Sequence, residues 1–178
     1  MNLPNKLSLL RVALIPVCVA LLLAGTGLCR ALSVAVFCLA AFTDFLDGYI
    51  ARKNGIVTNF GKFIDPVADK LLVLCTVASL VSLGQCPAWI CVVLLFRELA
   101  VDGLRMVAVE QGSVIAAGKL GKVKTVLQML ALIALLIWPD GWTGVTLGNT
   151  LMVLAVIMAA VSGAEYFIRN RHVLAGTR

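Results

Sequence analysis

Four aspartates crowd into a short part of this 178-residue chain. Asp44, Asp47, Asp65 and Asp69 fall within 26 consecutive positions and make up four of the nine acidic residues. Carboxylates without histidine or cysteine suit a hard divalent cation, Mg²⁺ or Mn²⁺, and four of them can hold two such ions. Two divalent ions at one site are typical of phosphoryl chemistry, because they neutralise phosphate oxygens and stabilise a leaving group.

The spacing of these aspartates predicts two helices that face each other. Asp44 and Asp47 are three positions apart, and Asp65 and Asp69 are four apart, so each pair shares one helix face. We expect the first of these helices to enter a membrane from outside near Ala31 and the second to leave it near Leu83. At 1.5 Å per residue, Asp44 and Asp69 then lie at roughly 20 and 21 Å depth. We therefore expect one water-filled pocket in the cytoplasmic third of a bilayer. The alternative is a set of simple ion pairs with Arg52, Lys53, Lys62 and Lys70, which would not require this spacing.

The elements that carry the aspartates belong to a membrane protein. Hydrophobic residues make up 61% of the chain and charged residues 13%. In ordinary soluble domains about 25% of the residues are charged, nearly twice this share. This composition excludes soluble, disordered and nucleic-acid-binding proteins. Segments of about 20 apolar residues can cross the bilayer. We expect an all-α integral membrane protein, one domain over residues 1–178, with six transmembrane helices near 6–24, 31–52, 60–83, 87–109, 122–138 and 145–168.

The basic residues predict the orientation of these helices. The loops of one side carry almost all of the positive charge, whereas the opposite side carries only Arg30. By the positive-inside rule, both termini and the pocket face the cytoplasm. The net charge of +6 then reflects topology rather than a nucleic-acid partner. We expect the inner membrane of a bacterium.

A second set of polar residues predicts an anion site. Arg97 lies ten residues after Pro87, roughly 15 Å into its helix, where an unpaired arginine is costly and an internal cavity is the default interpretation. Glu98, Asp102 and Arg105 share a neighbouring stripe. This stripe is either an ion-pair ladder or a set of substrate contacts; we favour phosphate contact for Arg97 and Arg105.

The start of the fifth helix extends this site. Lys122, Lys124 and Thr125 lie where unpaired backbone N–H groups already favour an anion. The alternative, basic residues that set topology and meet lipid headgroups, explains Lys119 best. Together with the two arginines of the fourth helix, these residues predict an acceptor that carries a phosphate.

Read as a string, Asp44 to Asp69 is D-F-L-D-G-Y-I-A-R, eight residues, G, three residues, D, three residues and D. This pattern resembles the full signature of the CDP-alcohol phosphotransferases, and the six-helix topology is similar as well. The resemblance implies a metal-dependent membrane enzyme, forming a homodimer, in which an alcohol attacks the β-phosphorus of a CDP-linked lipid. CMP leaves and a phosphodiester forms.

The resemblance also implies a role for each matched residue. Asp44, Asp47 and Asp65 would bind two Mg²⁺ or Mn²⁺ ions, and Asp69 would be the general base while touching the second ion. The residues alone do not separate the base from the ligands. Gly48 and Ala51 leave room for a phosphate, although packing alone would also explain them. The residues predicted at the CDP moiety are Asn5, Gly48, Ala51, Arg52 and Gly61. Asn5 and Arg11 either help to bind the CDP diphosphate or are simply an N-cap and a topology charge.

Three segments outside the signature, and one that overlaps its end, resemble the branch of this family that uses glycerol 3-phosphate. They are Pro4–Pro16, Asp65–Lys70, Arg97–Arg105 and Leu120–Gln128. This resemblance implies CDP-diacylglycerol as donor and glycerol 3-phosphate as acceptor. One departure is Asp102, where a small hydroxyl residue is expected. The alternatives are another acceptor (inositol phosphate, serine or phosphatidylglycerol) or an ion-coupled transporter, which would predict internal repeats and broken helices.

Overall fold

The computed structural model is helical throughout the residues that it describes. It describes the backbone of residues 3–54, 59–113, 115, 118–139 and 141–174, and the side chains of residues 6–43, 64–113, 115, 118, 120–139 and 141–173. Within these ranges there is no β-strand. The helices there are α1 (Leu3–Leu23), α2 (Gly27–Asn54), α3 (Asn59–Ser82), α4 (Ala88–Glu110), α5 (Lys119–Ile137), α6 (Leu147–Arg169) and the short α7 (Arg171–Leu174). The six predicted long helices are confirmed, with every end within four residues of its predicted position.

Three of the helices are long and apolar enough to cross a bilayer, judged over the described part of the chain. These segments are Lys6–Leu23, Leu120–Ile137 and Leu147–Arg169, and Gly27–Thr43 in α2 is a shorter apolar helix. Helices α3 and α4 carry charged residues in their interiors, which lowers their apolar character. Six membrane crossings and cytoplasmic termini therefore stay predictions.

The helices pack so that α3, α4, α5 and α6 surround a common interior. Helix α1 packs against α2 and α3, α5 runs along α6, and α4 contacts both α3 and α6. Fully buried Phe37, Leu72, Ile90 and Leu132 belong to the core that joins them. Gly148 permits the close approach of α6 to α5, since a Cβ there would lie 2.8 Å from Cδ2 of Leu135.

Arg30, the basic residue predicted on the outer side, ties α2 to the end of α5. Its Nε donates a hydrogen bond to the carbonyl oxygen of Leu136 at 2.8 Å, and its Nη2 donates to Oε1 of Gln85 at 2.6 Å. The last carbonyl groups of a helix have no partner within that helix. Arg30 therefore has a structural task at this end of the bundle, away from the charged residues of α3 and α4.

Candidate active site

A cavity of about 410 Å³ lies between α3, α4, α5 and α6. This volume falls within the roughly 300–1,000 Å³ that is usual for small-molecule sites. Its polar lining comprises Asp65, Asp69 and Lys70 from α3, Arg97, Glu98 and Arg105 from α4, Lys122, Lys124, Thr125 and Gln128 from α5, and Ser162, Glu165 and Tyr166 from α6. All five residues predicted at the acceptor phosphate therefore line the same cavity as two of the four aspartates.

The two aspartates of α3 are held by residues of α1. Ser8 Oγ donates a hydrogen bond to Asp65 Oδ1 at 2.5 Å, and Arg11 Nη1 donates to Asp69 Oδ1 at 2.6 Å. Arg11 is completely buried, whereas the side chain of Asp69 is 42% exposed. Helix α1 thus brings a positive charge and a hydroxyl group to the carboxylates from the side away from the cavity.

Glu98 is the centre of a buried ion network. Its Oε1 accepts a hydrogen bond from Lys124 Nζ and another, at 3.2 Å, from Arg97 Nη1. The side chains of Glu98 and Lys124 are only 11% and 6% exposed. A buried carboxylate between two cations is much less costly than any of these charges alone. These contacts agree with the interpretation that Glu98 belongs to an ion-pair ladder. One of its partners, however, is Lys124 of α5 rather than a residue of its own helix.

Asp102 also pairs across the bundle, because Lys70 Nζ donates to its Oδ2. Lys70, one of the cations that simple ion pairing with the aspartate cluster would use, bonds to α4 in the structure. The predicted stripe of Glu98, Asp102 and Arg105 therefore does not pair along its own helix. Each member contacts a different neighbour, which fixes α4 relative to α3, α5 and α6.

Arg97 lies in a slot between α5 and α6. Its Nη2 donates a hydrogen bond to Ser162 Oγ at 3.2 Å. A Cβ added at Gly121 would lie 3.6 Å from Nη2, and one at Gly163 would lie 3.3 Å from Cγ. The small residues on both helices leave just enough room for the arginine. Its Nε is buried and has no hydrogen-bond partner among the described residues.

Arg105 rests against an aromatic residue of α6. Its Nε donates to Tyr166 Oη at 3.1 Å, and its guanidinium carbon lies 5.6 Å from the centre of the tyrosine ring. This contact orients the guanidinium group through Nε, while the two terminal nitrogens carry the donors that suit a phosphate.

The start of α5 supplies a further anion-binding feature. Its N-cap residue, Gly118, provides no side-chain cap hydrogen bond, and Gly118, Lys122 and Thr125 all line the cavity. The first backbone N–H groups of a helix are unsatisfied and carry the positive end of the dipole. The predicted phosphate site at this helix start is therefore compatible with the geometry.

The remaining predicted residues lie outside the described side chains. These are Asp44 and Asp47 of the metal set and Asn5, Gly48, Ala51, Arg52 and Gly61 of the CDP set. Where side chains are described, no three histidine, cysteine, aspartate or glutamate residues come together as a metal site. Asp65 and Asp69 are hard oxygen donors that face the cavity, and such donors fit Mg²⁺ or Mn²⁺.

A comparison with known protein families identifies the chain. Residues 1–161 match the model of the CDP-alcohol phosphatidyltransferases. The chain belongs to this family. The predicted family resemblance, carried by the aspartate signature, is thereby confirmed.

Individual relatives agree with the family match. A CDP-diacylglycerol–glycerol-3-phosphate 3-phosphatidyltransferase of Bacillus subtilis is 42% identical, over 95% of each chain. A protein of the same name from Salmonella choleraesuis is 36% identical, over 96% of this chain and 95% of the relative. A probable phosphatidylglycerophosphate synthase of Mycobacterium tuberculosis is 37% identical, over 99% of this chain and 85% of the relative.

The sequence did not indicate the cavity residues of α6 or the contacts that α1 makes with the aspartates. Ser162 and Tyr166 are four positions apart and so share a face of α6, but they lie within a strongly apolar helix and just beyond the family match. Ser8 and Arg11 are three positions apart and share a face of α1. The available signal was this spacing of polar residues along otherwise apolar helices.

We predict that Glu98→Gln lowers the stability of the folded protein. The substitution leaves Lys124 and Arg97 buried without a carboxylate, and removing one partner of a buried pair typically costs about 3–5 kcal/mol. Thermal unfolding of the purified protein in detergent should show a lower Tm for this variant. The double variant Glu98→Gln with Lys124→Met should recover part of the lost stability, because it also removes one of the two buried cations that no longer have a carboxylate partner.

The matched control is Glu110→Gln, which removes an exposed carboxylate at the end of the same helix. If Glu98→Gln unfolded at the same temperature as this control, Glu98 would not be the centre of the network.

Proposed function

We propose that this chain transfers a phosphatidyl group from CDP-diacylglycerol to the primary hydroxyl of sn-glycerol 3-phosphate, giving phosphatidylglycerophosphate and CMP. Membership of the family supports the CDP-linked donor, and the names of the relatives support this donor and this acceptor. The observation that carries the proposal is the shared cavity, in which Asp69 and the cationic residues of α4 and α5 line one space.

Two of the cations predicted at the acceptor phosphate, Arg97 and Lys124, pair with Glu98. The acceptor phosphate is bound by the cavity cations that have no carboxylate partner among the described residues. In the described part of the chain, Glu98 pairs with Lys124 and Arg97, and Asp102 pairs with Lys70. Arg105 and Lys122 line the cavity outside these pairs. A phosphate group would meet the positive charge of Arg105 from α4 and of Lys122 from α5. A neutral acceptor would offer these two cations no opposite charge.

Asp69 takes the proton of the acceptor hydroxyl. The hydroxyl oxygen then forms a bond to the phosphorus of the phosphatidyl group, and the bond from that phosphorus to CMP breaks. The electron pair of the broken bond leaves with CMP. Arg11 orients the Asp69 carboxylate through its 2.6 Å hydrogen bond. A positioned base of this kind contributes about 10²–10⁴-fold in rate.

Asp44, Asp47 and Asp65 are proposed to hold two divalent ions, Mg²⁺ or Mn²⁺, with Asp69 touching the second ion. When bound, the ions would supply positive charge to the diphosphate and to the leaving CMP. Ser8 supports this set by fixing one oxygen of Asp65. The residues proposed at the CDP moiety are Asn5, Gly48, Ala51, Arg52 and Gly61.

We place the enzyme in the bacterial inner membrane with the cavity open to the cytoplasm. The acyl chains of the donor stay in the bilayer while its headgroup enters the cavity. The apolar helices α1, α5 and α6 support the membrane location. We also propose that the protein forms a homodimer and crosses the membrane six times, because the family resemblance implies both.

We predict that the purified protein releases CMP from CDP-diacylglycerol in the presence of Mg²⁺ and glycerol 3-phosphate, and that EDTA abolishes the release. The assay compares this acceptor with inositol phosphate, serine and phosphatidylglycerol. Release with a different acceptor alone would contradict the assignment of the cationic residues. If none of the four acceptors led to CMP release, the proposed transfer would be wrong and the alternative of an ion-coupled transporter would be favoured.

We also predict that Asp69→Asn lowers kcat by about 10²–10⁴-fold, because the amide cannot take the proton. The variant should still fold, and Mn²⁺ or CDP-diacylglycerol should still raise its Tm. Glu110→Gln is the control for the loss of one carboxylate outside the cavity. Full turnover by Asp69→Asn would show that another group is the base.

A further inference from the structure

Gln128 is a cavity residue to which neither the mechanism above nor the family signature gives a role. It lies on α5, and its side chain is only 2% exposed. Its Nε2 group is buried and has no hydrogen-bond partner among the described residues. Gln128 also lines the cavity. A buried amide donor without a partner has lost its hydrogen bonds to water and gained none in return, so proteins rarely keep one unless a ligand or a water molecule accepts its hydrogen bond.

The surroundings of Gln128 indicate what kind of ligand it would meet. Lys124, one turn earlier on the same face of α5, is occupied by Glu98. Arg97, which lines the same cavity, has its buried Nε without a partner as well. Two residues that line the cavity therefore carry buried N–H donors without a partner among the described residues. A ligand with neutral oxygen atoms, such as an alcohol, can accept these hydrogen bonds without adding a buried charge.

Arg105 and Lys122 lie nearer to one end of their own helices than Asp69 and Gln128 do to the start of theirs. Arg105 is five residues from the end of α4 and Lys122 three residues from the start of α5, or roughly 8 and 5 Å along the helix axes. Asp69 is ten residues from the start of α3 and Gln128 nine residues from the start of α5, or roughly 15 and 14 Å. The cations therefore lie nearer the helix ends, and the base and the amide lie deeper.

We propose that Gln128 donates a hydrogen bond to the acceptor's second hydroxyl, the one that does not react, and so determines which phosphorylated alcohol is used. This inference rests on the proposed function. With its phosphate on Arg105 and Lys122, glycerol 3-phosphate would extend its two hydroxyl groups inward. One hydroxyl meets Asp69 and reacts, and the other meets Gln128. Sites that hydrogen-bond a substrate hydroxyl discriminate against analogues that lack it, because the protein donor is then left unpaired.

The test compares glycerol 3-phosphate with 3-hydroxypropyl phosphate, which keeps the reacting hydroxyl and the phosphate but lacks the middle hydroxyl. CMP release gives kcat/KM for both alcohols. We expect the unmodified protein to prefer glycerol 3-phosphate by about 10-fold or more. Gln128→Met, which keeps the side-chain length but not the donor, should bring the ratio close to one. The ratio does not depend on how much of the variant is correctly folded.

Gln111→Met is the matched control. Gln111 follows α4, and its Nε2 donates to the carbonyl oxygen of Val173 at 3.0 Å, so its amide group is occupied outside the cavity. This control should keep the preference of the unmodified protein.

The outcomes separate the two proposals. An unmodified protein that uses both alcohols equally, or a Gln128→Met variant that keeps the full preference, would overturn the role of Gln128 and leave the proposed function standing. An unmodified protein that releases no CMP with either alcohol would overturn the proposed function and the role of Gln128 with it.

Discussion

The arrangement of the cavity depends on one buried carboxylate. Glu98 lies between Lys124 of α5 and Arg97 of its own helix, where little water reaches any of the three groups. Charges in such a place are stable only when they are paired and hydrogen-bonded. Because Lys124 and Arg97 are needed to stabilise Glu98, and Glu98 to stabilise them, the relative positions of α4 and α5 are fixed. Ser162 extends the same constraint to α6 through Arg97.

Pairing also determines which charges remain for a ligand. Glu98 and Asp102 engage the cations of the interior, and Arg11 engages Asp69 from outside the cavity. Arg105 is oriented by Tyr166, and no carboxylate pairs with it among the described side chains. A phosphate group is therefore favoured beside Arg105, beyond the paired cations. Because most of the interior charges are paired, a strongly charged interior can occur beside three helices that are apolar enough to cross a membrane.

The sequence predicted the helices and much of the cavity because both depend on local spacing. Apolar segments of about 20 residues located the six long helices, and the positions of Arg97, Arg105, Lys122 and Lys124 within them indicated an anion site that the structure brings together around one cavity. The partners of the charged residues were harder to predict. Spacing along a helix shows which residues share a face, but not which helix that face meets. The pairs Arg11–Asp69 and Lys70–Asp102 therefore required the packing of the bundle.

We propose that one cavity binds the acceptor phosphate beside the base. The decisive measurement is a structure of the Asp69→Asn variant with bound glycerol 3-phosphate, since this variant should hold the acceptor without turning it over. We predict that the phosphate group lies on Arg105 and Lys122 and that a hydroxyl group lies next to residue 69. A glycerol 3-phosphate molecule bound outside this cavity, or with its phosphate away from these two cations, would show that the proposal is wrong.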